Sequence, residues 1–255
     1  MNMRLKPALR WDLKNYGKGA GVFLLIMCLL TVIFAVAAAS SGAEGYASFT
    51  GSAISGTAFL LVLGIVCIRE NLRMLLQNGI SRRTAFLAEL TALILTSFAV
   101  SGGLTLLTAL AHGLPTGAFR LFAADLCQLI YWSGENGAGQ GALSLGQQLI
   151  SWLFGACLML VLGLLGQMFS LLFWRLSKFW TVVAAVSIPL LLNLIPLGLY
   201  RLSVVWTAVN RTISAFFGFL GASPWNVMLV SLLASAILTG VSWLLLRRAN
   251  IQAAK

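Results

Sequence analysis

Polar positions are sparse along this chain and serve mainly to separate long apolar runs. A helix needs roughly 20 mostly apolar residues to cross a bilayer. Six runs qualify: about Ala20–Ser40, Ser52–Ile68, Thr84–Ala111, Leu149–Trp174, Thr181–Tyr200 and Asn226–Leu246. They are continuous and rich in Leu and Ala, which favours helices over a β-barrel. The pattern predicts an all-α polytopic membrane protein with six transmembrane helices in one domain, residues 1–255. The first run has a basic lead-in and an Ala-rich end, Ala35–Ala39, like a secretory signal. Its apolar stretch is longer than a signal core, so the segment is expected to be retained.

Three connecting segments are amphipathic. Within residues 1–18, Leu5, Ala8, Leu9 and Leu13 share a helical face, with Arg10, Asp12 and Lys14 elsewhere and Trp11 and Tyr16 suited to the interface. This is the pattern of a basic helix lying among lipid headgroups. In the segment 113–148, Phe122, Leu126, Leu129 and Ile130 predict a short surface helix, followed by a Gly-rich linker at Gly134–Gly141. In residues 201–225, Leu202, Val205, Trp206, Val209, Ile213, Phe216, Phe217 and Leu220 form a nearly unbroken stripe. That segment either lies on the surface or dips in as a re-entrant hairpin, with Asn210-Arg211-Thr212 as the expected bend.

Composition agrees with the pattern. The chain has 255 residues, 60% hydrophobic and 9% charged, far from the roughly 25% charged residues of a soluble domain. A soluble or disordered chain is excluded. The net charge of +11 would suggest nucleic acid in a soluble protein, but its placement argues otherwise. Fourteen of the 17 basic residues fall on one side of the predicted spans, leaving Arg120, Arg201 and Arg211 on the other. The positive-inside rule therefore puts both termini in the cytoplasm. Acidic residues split evenly: Asp12, Glu70 and Glu89 inside, Glu44, Asp125 and Glu135 outside. The basic surplus favours membrane lipids, and no nucleic-acid partner is expected. Cys28, Cys67, Cys127 and Cys157 show neither disulfide nor zinc spacing and suit apolar packing, with Cys127 alone in the outer loop.

The segment 69–83 is the most informative. Leu72, Leu75 and Leu76 share one face, Asn78-Gly79 has the form of a helix C-terminus, and Ser81 that of an N-cap. A short helix, a sharp turn and a new helix are expected, beside Arg69, Arg73, Arg82 and Arg83. The run LLQNGISRRTAFLAEL, residues 75–90, resembles the intracellular loop of type-2 permease subunits of ATP-binding cassette (ABC) exporters. The resemblance extends to the whole-chain architecture of amphipathic N-terminal helix, six spans and outer hairpin; the long outer segment 113–148 departs from the compact members. It implies that the loop holds a coupling helix for a cytosolic ABC ATPase, with Glu70, Leu72, Arg73, Leu75, Leu76, Gln77, Asn78, Gly79 and Arg82 as the coupling residues. It also implies a second permease chain, the same or related, and ATP and Mg on the partner ATPase. The location implied is the bacterial cytoplasmic membrane. The plain alternative for this segment is a topogenic basic loop.

No catalytic chemistry stands out. Gly17-Lys18 lacks the remaining residues of a phosphate-binding loop: Asp12 and Gly19 stand where Gly and Ser or Thr are needed. His112 is the single histidine, expected at the outer end of the third span, and no paired carboxylates are expected within the spans. No catalytic residue, metal site or cofactor is therefore expected on this chain, and we expect it not to be an enzyme. Gly155, Gly163 and Gly166, with Ser52 and Gly56, suit close helix approach. Pro189 and Pro196 flank Asn193 and predict a kink. Ser101, Gln167 and Asn193 are the expected lining of a weakly polar translocation path for an amphipathic peptide, drug or lipid. An antimicrobial peptide is the first choice of substrate. An ATPase-independent channel, carrier or scaffold is the alternative.

Overall fold

A computed structural model describes residues 5–40, 46–48, 52–113, 120–122, 125–132, 143–175 and 203–247. Seven helices lie among them: α1 (Leu5–Ser40), α2 (Ser52–Gln77), α3 (Arg82–Gly113), α4 (Leu126–Tyr131), α5 (Leu145–Arg175), α6 (Ser203–Ala222) and α7 (Pro224–Arg247). Five of these, α1, α2, α3, α5 and α7, are long and apolar enough to cross a membrane. The chain is thus a multi-pass helical membrane protein. The expected span at Thr181–Tyr200, with Asn193, lies outside the described residues.

The N-terminal segment and the first span are one helix. α1 runs unbroken for 36 residues. It buries a face of Ala8, Asp12, Tyr16, Ala20 and Met27, each four or seven residues from the last, as one side of a helix requires. Its other side presents Val22, Leu25, Leu29 and Val36 outward, the arrangement expected against lipid tails. Two details differ from the sequence pattern. Tyr16 is fully buried rather than interfacial, and Leu5 is exposed.

α2 and α5 form the closest pair. The backbone of α2 at Gly64 meets the carbonyl of Gly163, and α5 at Gly166 meets the carbonyl of Leu61. A Cβ at either glycine would strike main-chain atoms, which a side-chain rotation cannot relieve. At Gly56 a Cβ would stand 2.6 Å from Met159 Cε and 2.7 Å from Leu104 Cδ1. Helix association in lipid lacks a hydrophobic drive and rests on such close contacts.

The end opposite the Arg-rich turn carries short elements. Strands β1 (Tyr46–Ser48) and β2 (Arg120–Phe122) pair in parallel, Tyr46 with Arg120 and Ser48 with Phe122. Phe122 therefore belongs to a strand and not to the predicted surface helix. That helix is α4, shorter than the stripe suggested, and Asp125 caps it by accepting from Leu126 N at 2.8 Å. It buries Cys127 and Gln128 and exposes Leu129 and Ile130. Cys127 packs with Phe154 and Met228. α6 passes through Asn210-Arg211-Thr212 without a bend. The chain instead turns at Ser223, where Pro224 opens α7 and needs no hydrogen-bond acceptor for its nitrogen. Asn226 Nδ2 donates to the Phe219 carbonyl at 2.8 Å and holds that turn.

Candidate functional site

The segment resembling a coupling loop is built from the last turns of α2, a tight turn and the start of α3. Gly79 has φ +72°, the left-handed conformation that ends a helix at low cost in glycine. Its neighbours close the turn in the expected way: Ile80 N donates to the Leu75 carbonyl and Gly79 N to the Leu76 carbonyl, both at 3.0 Å. Ser81 Oγ accepts from Thr84 N at 3.3 Å, which satisfies one free donor at the start of α3. The short helix itself is not separate. Residues 69–77 continue α2 without a break.

This continuity sorts the nine residues expected to couple to an ATPase. Leu72 and Leu75 are buried, packed with Ala8, Phe86, Leu171 and Leu246, and Leu76 packs beside them. They anchor the tip and offer a partner little surface. Glu70, Arg73, Gln77, Asn78, Gly79 and Arg82 are exposed, as are Arg69, Met74 and Arg83. Arg82 Nη1 donates to the Arg247 carbonyl at 3.2 Å and ties the tip to the end of α7. Beside it lies a cavity of about 510 Å³ lined by Leu5, Arg82, Arg83, Trp243 and Arg247 among others.

The three residues expected to line a path have different fates. Ser101 is buried between α3 and α5, where its Oγ donates to the Trp152 carbonyl at 2.7 Å. It acts there as a helix-to-helix tie. Gln167 is fully buried and belongs to a polar network described next. Asn193 lies outside the described residues.

That network joins four helices. Tyr16 of α1 donates its hydroxyl to Glu89 Oε1 of α3 at 2.6 Å. Asn71 of α2 donates to Glu89 Oε2 at 2.9 Å. Asn15 Nδ2 donates to Asn71 Oδ1 at 2.7 Å. Gln167 of α5 donates Nε2 to the Tyr16 hydroxyl at 3.2 Å. Asp12, one turn before Tyr16, is also fully buried. Both oxygens of Asp12, and Oε1 of Gln167, are buried without a hydrogen-bond partner. Asp12, Asn71, Glu89 and Gln167 each lie six to eight residues from the end of their helix nearest the Arg-rich turn. At 1.5 Å per residue that is one level, about 9–12 Å deep.

Two buried carboxylates therefore lie at one level of the bundle, where no such pair was expected. The missed signal was the spacing of Ala8, Asp12, Tyr16 and Ala20, which share a face at intervals of four. The larger apolar residues Leu5, Leu9 and Leu13 mark the neighbouring face. Among the described residues, no three His, Cys, Asp or Glu side chains gather as a metal site.

Comparison with known proteins adds no identification: no family model, no curated protein and no solved structure matches this chain.

Proposed function

We propose that the chain is the membrane-spanning permease subunit of an ATP-driven ABC exporter in a bacterial cytoplasmic membrane. The supporting observation is the exposed tip between α2 and α3. There Arg73, Gln77, Asn78 and Gly79 face outward, on a base anchored by buried Leu72 and Leu75. A rigid knob with polar, basic edges suits docking to a cytosolic ATPase, and the run 75–90 resembles the loop that does this in type-2 permeases. Both termini are cytoplasmic in this reading, by the positive-inside rule. Six crossings are part of it. α5 and α7 both end in the Leu171–Leu246 cluster, which supports a further crossing between Arg175 and Pro224. A second permease chain completes the path, and two ATPase subunits carry ATP and Mg. Closure of the ATPase pair pushes on the tip and switches the cavity between its two faces. The substrate class is amphipathic: a peptide, a drug or a lipid, with an antimicrobial peptide first.

The test uses exposed positions, since the leucines hold the tip together. Arg73→Glu and Gln77→Ala are expected to abolish co-purification of an ATPase from the native membrane while leaving the melting temperature unchanged. Wild-type protein that brings down no ATPase defeats the proposal. The buried carboxylates Asp12 and Glu89 favour the second reading, a carrier without an ATPase, and that reading gains from the same negative result.

A further inference from the structure

Asp12 and Glu89 are both buried and both acidic, and Asp12 stands one helical turn before Tyr16, whose hydroxyl donates to Glu89. A buried like-charged pair is stable only when a positive charge or a proton relieves it. The basic side chains of α1, Lys6, Arg10, Lys14 and Lys18, are exposed. The other titratable groups facing the pair are Tyr16 on α1 and Cys67 on α2, with Glu70 beyond. α5 contributes Gln167, which carries no charge. Arg69 and Arg73 of α2 and Arg82 and Arg83 of α3 are exposed, so none of the described groups supplies a cation.

The hydrogen bonds then distinguish the two carboxylates. Glu89 receives the Tyr16 hydroxyl on one oxygen and the Asn71 amide on the other, donors that suit an ionised group. Asp12 receives none on either oxygen, and Gln167 Oε1 also lacks a donor. The unmet groups are all acceptors. A single O–H would turn one of them into a donor and reduce the number of unmet acceptors around it.

We propose that Asp12 is a proton-binding site inside the bundle, with the proton held on its carboxyl group beside an ionised Glu89. Binding is a simple association: a carboxylate oxygen of Asp12 takes one proton and forms an O–H bond, with the charge of the site falling from two negatives to one. Release returns the proton to water. The site does not depend on the permease reading and does not require an ATPase.

Infrared spectroscopy of the full chain in liposomes tests it. The chain has two aspartates, Asp12 and Asp125. Aspartate-selective ¹³C labelling of the Asp125→Asn protein therefore isolates Asp12. At neutral pH the expected result is a protonated-carboxyl C=O band that shifts with the label, moves in D2O, and is absent from Asp12→Asn/Asp125→Asn. A spectrum with no labelled protonated-carboxyl band overturns the proposal. So does a labelled band that disappears when Na⁺ or K⁺ replaces choline, because a metal ion then takes the site. Labelling keeps the test independent of whether the Asp12→Asn change is tolerated.

Discussion

At the scale of the residue, the informative groups are those whose partners come from another helix. The turn at Gly79 and the cap at Ser81 were legible in the sequence because each is decided by bonds within a few residues. Asp12 was not, because its burial depends on α3 packing across it, and its spacing alone fits a polar face equally well. The Tyr16–Glu89 bond gives a direct prediction. Tyr16→Phe leaves a buried carboxylate oxygen without its donor, and the expected loss is about 1–3 kcal/mol of stability, measured as a lower melting temperature in detergent. Asp125 gives a second. Burial pushes its carboxyl above the usual carboxylate range, opposed by hydrogen bonds from Ser151 and from the Leu126 amide. A raised value in the folded state means folding takes up a proton. Stability from this group is full below the ordinary carboxylate range and is lost as pH rises through the folded value. Asp125→Asn keeps a good helix cap and is expected to flatten that part of the melting profile. Nearby burial also pushes the Cys127 thiol up, to about 12, so alkylation of the folded protein at neutral pH is expected to leave it intact.

At the scale of the element, glycine spacing carried most of what the sequence could say about packing. Gly56, Gly155, Gly163 and Gly166 were legible as contact positions, and each meets another helix. Gly64 was not singled out, since nothing in α2 alone shows that α5 passes over it. A pair of substitutions separates the two kinds of glycine. Gly166→Ala drives a methyl group into the Leu61 carbonyl, with an expected cost of about 1–3 kcal/mol for overpacking. Gly17→Ala on α1 meets open space and is expected to raise stability by about 0.5–1 kcal/mol through helix propensity. Thermal unfolding of both variants reads the difference directly. The apolar stripe of α6 was also visible, but the position of its turn was not. Asn210-Arg211-Thr212 interrupts the stripe without breaking the helix, whereas Pro224 imposes the break on its own backbone nitrogen.

At the scale of the whole molecule, the membrane class was legible because it rests on sums over many residues, which single misassignments do not disturb. The contacts among the helices were not, because every long helix here is apolar on most of its surface and offers several possible faces. Orientation has a simple check. Gln77→Cys is expected to react with an impermeant maleimide only from the cytoplasmic side, and Ser144→Cys only from the outside. The opposite pattern reverses the assigned sidedness. The unbroken length of α1 then has a mechanical meaning. Its tether to α3 through Tyr16 and Glu89 lies about one third of the way along, roughly 16 Å from Leu5 and 36 Å from Ser40 at 1.5 Å per residue. The rod is clamped along one side, at Ala8, Asp12, Tyr16, Ala20 and Met27, rather than pivoted at a single point. A push on its first turns is therefore passed sideways into the neighbouring helices, Tyr16 to Glu89 and Phe23 to Phe59, rather than amplified at the far tip.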